Sequence, residues 1–157
     1  MDGSVEIRPA EERDRLPIAQ LFAAVAEERD GIAAEPPVDV EKWAARWHLD
    51  GTFVAVDAGE IVGHLSVDRT PFGYGELGMF VAADRRGRGV GTALVAAAIE
   101  WARANGMHKL TLGVFPHNEA GIALYRKFGF VDEGLRIKHM RRASGELWDL
   151  LEMGLLL

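Results

Sequence analysis

The feature that most constrains this chain is a strand, a glycine-rich turn and a helix in immediate succession. Leu77 to Val81 is apolar and strand-like, Gly87, Gly89 and Gly91 alternate in the turn behind it, and Thr92 to Asn105 is a long helical run. Glycines at such a turn let the backbone approach a ligand with no Cβ in the way. The helix that follows presents unpaired N–H groups and the positive end of its dipole. The turn is therefore a candidate anion site, with phosphate the first guest to consider. A tight turn without a ligand is the competing reading of the same residues.

Two phosphate-loop patterns do not fit. A P-loop requires Gly-x-x-x-x-Gly-Lys-Ser/Thr, and no lysine follows Gly91. A dinucleotide fingerprint requires a third glycine where Thr92 stands.

At 157 residues the chain is expected to form one domain, residues 1–157, with a core of its own. It contains no cysteine, which excludes disulfides, thiolate nucleophiles and cysteine-ligated zinc. The histidines lack metal-ligand spacing, so no metal is expected. A net charge of -6 disfavours general nucleic-acid binding and is compatible with a cationic substrate. Met1 is followed by Asp2 and Glu6 rather than by a basic segment and an apolar run, and no apolar stretch reaches membrane length. The expectation is a cytoplasmic protein with no membrane partner.

Taken in order, Val5 to Arg8 alternates as a short strand stopped by Pro9. Glu11 to Glu28 carries Leu16, Ile18, Leu21, Phe22, Val25 and Ala26 on one helical face, with Pro17 near its start. Gly31 to Val40 is a loop. Asp39 caps a second helix, Val40 to His48, whose Trp43 and Trp47 pack on the core; a membrane-surface role is the less favoured reading. Phe53–Asp57 and Ile61–Asp68 form a hairpin across Ala58-Gly59-Glu60. Glu76–Val81 is a fourth strand, Gly91–Asn105 a helix ended by Gly106, and Lys109–Val114 a fifth strand. Asn118–Phe128 is a helix closed by Gly129, and Phe130–Met140 pairs with Leu147–Leu156 as a last hairpin. Strands followed by alternating strand and helix make a mixed α+β domain in three layers.

Two stretches carry a resemblance. Arg86-x-x-Gly89-x-Gly91 resembles the pyrophosphate loop of the GNAT superfamily of N-acetyltransferases, Gln/Arg-x-x-Gly-x-Gly/Ala. Asn118 to Phe130 resembles that family's Asn-x-x-Ala-x-x-x-Tyr-x-Lys-x-Gly-Phe signature, with Gly121 in place of alanine, a change expected mainly to lower helix propensity. The two stand in the family's order over Leu77 to Phe130. The resemblance implies a mostly antiparallel sheet of about seven strands, splayed between the fourth and fifth, with about four flanking helices. It implies acetyl-CoA, or a related acyl-CoA, as acyl donor in that splay.

By the same resemblance, Arg86, Gly87, Arg88, Gly89, Val90, Gly91 and Thr92 surround the pyrophosphate, chiefly through backbone N–H groups. The backbone of Met79, Phe80 and Val81 pairs with the pantetheine arm as an added strand would. Asn118 bonds that arm or the neighbouring backbone. Tyr125 places its hydroxyl near the thioester sulfur. The implied chemistry is direct transfer, in which a neutral amine attacks the thioester carbonyl. Fourth-strand N–H groups stabilise the oxyanion and Tyr125 protonates the departing thiolate. The alternative for Tyr125 is a packed core side chain.

Glu76 leads as general base. It shares a strand face with Gly78 and Phe80 by the two-residue period. It reads equally as an exposed glutamate or a substrate-binding carboxylate. Some relatives carry a glutamate on the fifth strand, but the matching residue here is Gly113. His64, His117 and His139 are further candidates, His117 because it adjoins Asn118. The acidic set Glu27, Glu28, Asp30, Glu35, Asp39 and Glu41 suits a cationic acceptor or a solvated surface. The basic set Arg136, Lys138, His139, Arg141 and Arg142 suits an anionic one. The expected function is acetyl transfer to a primary amine of a small molecule or a protein N-terminus. A lysine side chain as acceptor and a non-catalytic CoA sensor stay open. A homodimer is expected only by family likeness, and the strand Leu147 to Leu157 either serves it or completes the sheet.

Overall fold

The computed structural model describes residues 5–157. The chain begins with β1 (Glu6–Pro9), a short 3₁₀ turn and α1 (Arg15–Ala26), then α2 (Val40–Arg46). β2 (Thr52–Asp57), β3 (Glu60–Arg69) and β4 (Tyr74–Val81) follow as an antiparallel run. α3 (Val90–Ala104), β5 (Lys109–Val114), α4 (Glu119–Lys127), β6 (Val131–Arg141) and β7 (Leu147–Leu156) complete it. The seven strands form one sheet in the order β1-β2-β3-β4-β5-β7-β6. Every neighbouring pair is antiparallel except β4 with β5.

The two-residue period of the strands divides the core between the two faces. Val54 and Phe80 turn to one side and bury Ile18, Phe22 and Val25 of α1. Ala55, Leu65, Val67 and Leu77 turn to the other and bury Leu94, Val95 and Ala98 of α3. Ile122 and Tyr125 of α4 join that second cluster with Leu110 and Met153. The result is helix, sheet, helix in three layers, as the element order predicts. α1 and α2 cover only the β1–β4 side of their face.

Local chemistry explains the boundaries. Ala58 and Gly59 both take positive φ, 50° and 81°, the two-residue turn whose twist suits a hairpin. Asp39 caps α2, its Oδ1 accepting from the Lys42 N–H at 3.1 Å. Pro17 is the third residue of α1, inside the first turn, where a missing N–H costs nothing.

Two expectations change, and the sheet order bears on a third. The first helix is preceded by a separate 3₁₀ turn at Glu12–Asp14, where Asp14 accepts from the Glu11 N–H at 2.7 Å. α2 stops at Arg46, and Trp47 is extended, which turns its ring onto His64 and Phe80. β7 lies between β5 and β6, so the last strand completes the sheet and β6 is the outer edge.

Candidate active site

β4 and β5 share only three registered pairs, Tyr74 with Lys109, Gly75 with Leu110 and Glu76 with Thr111. Beyond Glu76 they part. Each stays paired on its outer side, β4 to β3 as far as Val81 and β5 to β7 as far as Val114. The inner edges of Leu77–Val81 and Leu112–Val114 therefore carry backbone groups with no partner strand. A cavity of about 800 Å³ occupies this end of the sheet. Met79, Phe80, Val81, Arg86, Gly87, Gly89, Gly91, Thr92, Asn118 and Tyr125 all line it.

The glycines of the turn serve two purposes. Gly87 and Gly89 take φ of 75° and 87°, where an L side chain is strained, and a Cβ on either would meet nothing within 4 Å. They form an open cradle at the start of α3, whose N-cap is Gly89 itself. Gly91 is a glycine for packing, since a Cβ there would lie 3.0 Å from Leu124 Cδ2 and press α3 off α4. The side chain of Val90 is buried in the core, which leaves its backbone as the part that can serve a ligand. Arg88 does not line the cavity. Arg86 does, and its guanidinium pairs with Glu28 through bonds of 2.7 and 2.9 Å while Nε donates to the Val81 carbonyl at 3.0 Å.

Asn118 is the N-cap of α4. Its Oδ1 accepts from the Gly121 N–H at 3.0 Å, which leaves its amide NH₂ for the cavity. A Cβ at position 121 would lie 2.7 Å from Asn118 Nδ2, so glycine there gives this cap room besides lowering helix propensity. Tyr125 is 7% exposed, with its ring edge-on to Phe130 at 5.7 Å. Burial pushes its hydroxyl up to about 12. It is a protonated phenol at any working pH, suited to giving a proton rather than taking one.

Glu76 stands apart from these residues. It is exposed at the last registered pair and lines a second, smaller cavity of about 410 Å³ with Thr111, Gly113, Arg136, Leu150 and Glu152. The register also supplies a carboxylate that reading strands singly misses. Gly113 is opposite Glu152 of β7, so a glutamate reaches the fifth-strand position from the neighbouring strand.

The histidines separate cleanly. His64 is buried under Trp47, and burial lowers its pKa to about 3, with the nearby His48 adding to the effect. His139 is exposed on β6. His117 lines the large cavity, its Nε2 3.0 Å from an Asp30 carboxylate oxygen. Glu28 and Asp30, the two members of the acidic set that line the cavity, are thus both engaged. Arg142 of the basic set is buried, donating to the Ala33 and Ile32 carbonyls at 2.9 and 3.3 Å over the Trp148 ring.

No helix among the described residues is long and apolar enough to cross a membrane. Among the same residues no group of three or more His, Asp or Glu side chains gathers in the manner of a metal site.

Known proteins agree with this geometry. The L-methionine sulfoximine/L-methionine sulfone acetyltransferase of Pseudomonas aeruginosa is 33% identical over 97% of this chain and 94% of its own. The L-amino acid N-acetyltransferase AaaT of Escherichia coli is 31% identical over 96% of this chain and 97% of its own. The structure of yncA from Salmonella typhimurium, solved with its cofactor acetyl-CoA, shares the fold at a TM-score of 0.87, with 23% identity over 99% of this chain and 95% of that one. Residues 17–130, which span both signatures and the splayed strands, match the Acetyltransferase (GNAT) family, and the chain belongs to that family.

Proposed function

We propose that this protein transfers an acetyl group from acetyl-CoA to the primary amine of a small amino-acid-like molecule. One observation carries the reading: a single cavity joins the open glycine cradle, the unpaired inner edge of β4 and the buried phenol of Tyr125. The residues suit the donor. N–H groups at Gly87 to Thr92, at the positive end of α3, fit a pyrophosphate. The free edge of Met79 to Val81 fits an extended amide-bearing arm, which would add as a strand.

Acetyl-CoA supplies an activated acyl carbonyl and a thiolate leaving group. Tyr125 holds the proton that the leaving sulfur needs, and its burial keeps that proton on oxygen until transfer. Unpaired β4 N–H groups face the position where negative charge develops on the acyl oxygen. Glu76, on the open face beside the apex of the splay, takes the proton that the acceptor ammonium must lose. Asn118 keeps α4, and so Tyr125, in register with the cleft while offering its amide to the arm. The relatives' acceptors support the amino-acid class, and the cavity beside Glu76 has the size of a small ligand site.

The test is calorimetric titration with acetyl-CoA, followed by free-thiol release against L-amino acids, polyamines, aminoglycosides and short peptides. Binding with release driven by amino acids is the expected result. Binding without release from any acceptor would make the chain a CoA-binding module, and no binding would refute the cradle.

A further inference from the structure

The smaller cavity opens on the half of the sheet that α1 and α2 leave bare, and its lining is charged in a particular way. Lys109 pairs with Glu133 at 2.9 Å and Arg136 with Glu152 at 2.6 Å. Glu76 has no ion-pair partner among the described residues. The cavity thus holds one carboxylate free to meet a cation. Arg136 is engaged through Nε alone, and no hydrogen bond among the described residues uses its two terminal nitrogens. That leaves two donors of its planar fork available, the group that suits a carboxylate.

The backbone between these two charges is bare. Next after Glu76 and Thr111 on this face come Gly78 and Gly113. A Cβ at Gly78 would meet nothing within 4 Å, and one at Gly113 would lie 3.1 Å from Leu150 Cδ2. A ligand can therefore lie against both strands at the apex of the splay, with Leu150 as an apolar contact.

We propose that this cavity binds a zwitterionic α-amino acid, its amine at Glu76 and its carboxylate on the terminal nitrogens of Arg136, which Glu152 holds in place. The assignment rests on the acetyl-transfer reading above and names the group that recognises the acceptor. A diamine or polyamine gains nothing from Arg136 and meets its positive charge. At about 410 Å³ the cavity lies at the small end of ligand sites, which favours a free amino acid over a peptide.

The experiment compares the best acceptor of an L-amino-acid panel with its decarboxylated amine, using the full chain and saturating acetyl-CoA. Arg136→Gln should raise KM for the amino acid by about tenfold or more, the loss of one charge-assisted pair. It should leave kcat and the KM for the amine nearly unchanged, and Arg136→Lys should recover part of the loss. Arg136 is exposed on an edge strand, so melting curves of the variants should match the parent. An equal KM shift for both acceptors, or none, would overturn the assignment while leaving acetyl transfer intact. Failure of every amine, with or without a carboxylate, to release thiol from the parent protein would instead overturn the acetyl-transfer reading and this assignment with it.

Discussion

His64 makes stability depend on pH in a way that can be isolated. The ring stacks on Phe80 at 4.7 Å and lies 4.7 Å from Trp47, at 1% exposure. Neither ring nitrogen has a partner among the described residues, and neither does Trp47 Nε1. Burial lowers its pKa from 6.5 to about 3, so the folded chain keeps the imidazole neutral where the unfolded chain protonates it. A depressed folded value contributes stability that is complete above the unfolded pKa and is lost as pH falls toward the folded one. Between pH 7 and pH 5 the loss is about 2 kcal/mol, from roughly 1.36 kcal/mol per unit over some 1.5 units. Because pH 5 stands well above the folded value, this figure is set by the unfolded chain alone.

His64→Leu removes the titration and both orphaned nitrogens at modest cost in volume. At pH 7.5 the variant should be at least as stable as the parent. Its advantage should widen by about 2 kcal/mol at pH 5. Urea unfolding followed by tryptophan fluorescence at pH 7.5, 6 and 5 measures both, since Trp43 and Trp47 flank the site. Parallel pH profiles for the two proteins would show that His64 is hydrated or partnered in solution, and the argument from burial would fail.

Other perturbations probe the cleft and the frame. Tyr125→Phe should cut kcat by about 100-fold while acetyl-CoA affinity in calorimetry stays the same; unchanged turnover would return the residue to a packing role. Gly89→Trp should abolish acetyl-CoA binding by filling the cradle, at a cost of about 1–2 kcal/mol in stability from the left-handed backbone alone. Asp39→Ala should cost about 1 kcal/mol in urea unfolding, the worth of one N-cap, without affecting turnover.

What the sequence disclosed was local. Period-two runs marked β2 to β5, and Asp39, Gly106 and Gly129 marked helix ends, because each acts within a turn of itself. The cradle was legible for the same reason, except at Gly91, whose partner Leu124 lies on another helix. The pair of Arg86 with Glu28 joins residues 58 apart and has no local trace. Glu152 was hidden for a related reason: its place opposite Gly113 depends on the register of β7 against β5, which no motif encodes.

The splay is the deepest of these non-local features: nothing in the residues of β4 and β5 taken singly marks it, and the sequence pointed to it only through the resemblance of the two motifs. β4 keeps seven registered pairs with β3 and β5 keeps six with β7, against three between the two. Their outer ladders hold them rigid while their inner edges diverge, so the cleft cannot close by sliding one strand without breaking a full ladder. Its unpaired backbone groups must bond to water or to an extended guest, since leaving them bare costs about 1–3 kcal/mol each. The pairing that would have stabilised a closed sheet is thus withheld at the one place where an amide-bearing arm can supply it. On the proposed reading, a donor held chiefly by backbone leaves the open face, with Glu76 and Arg136, free to choose the acceptor.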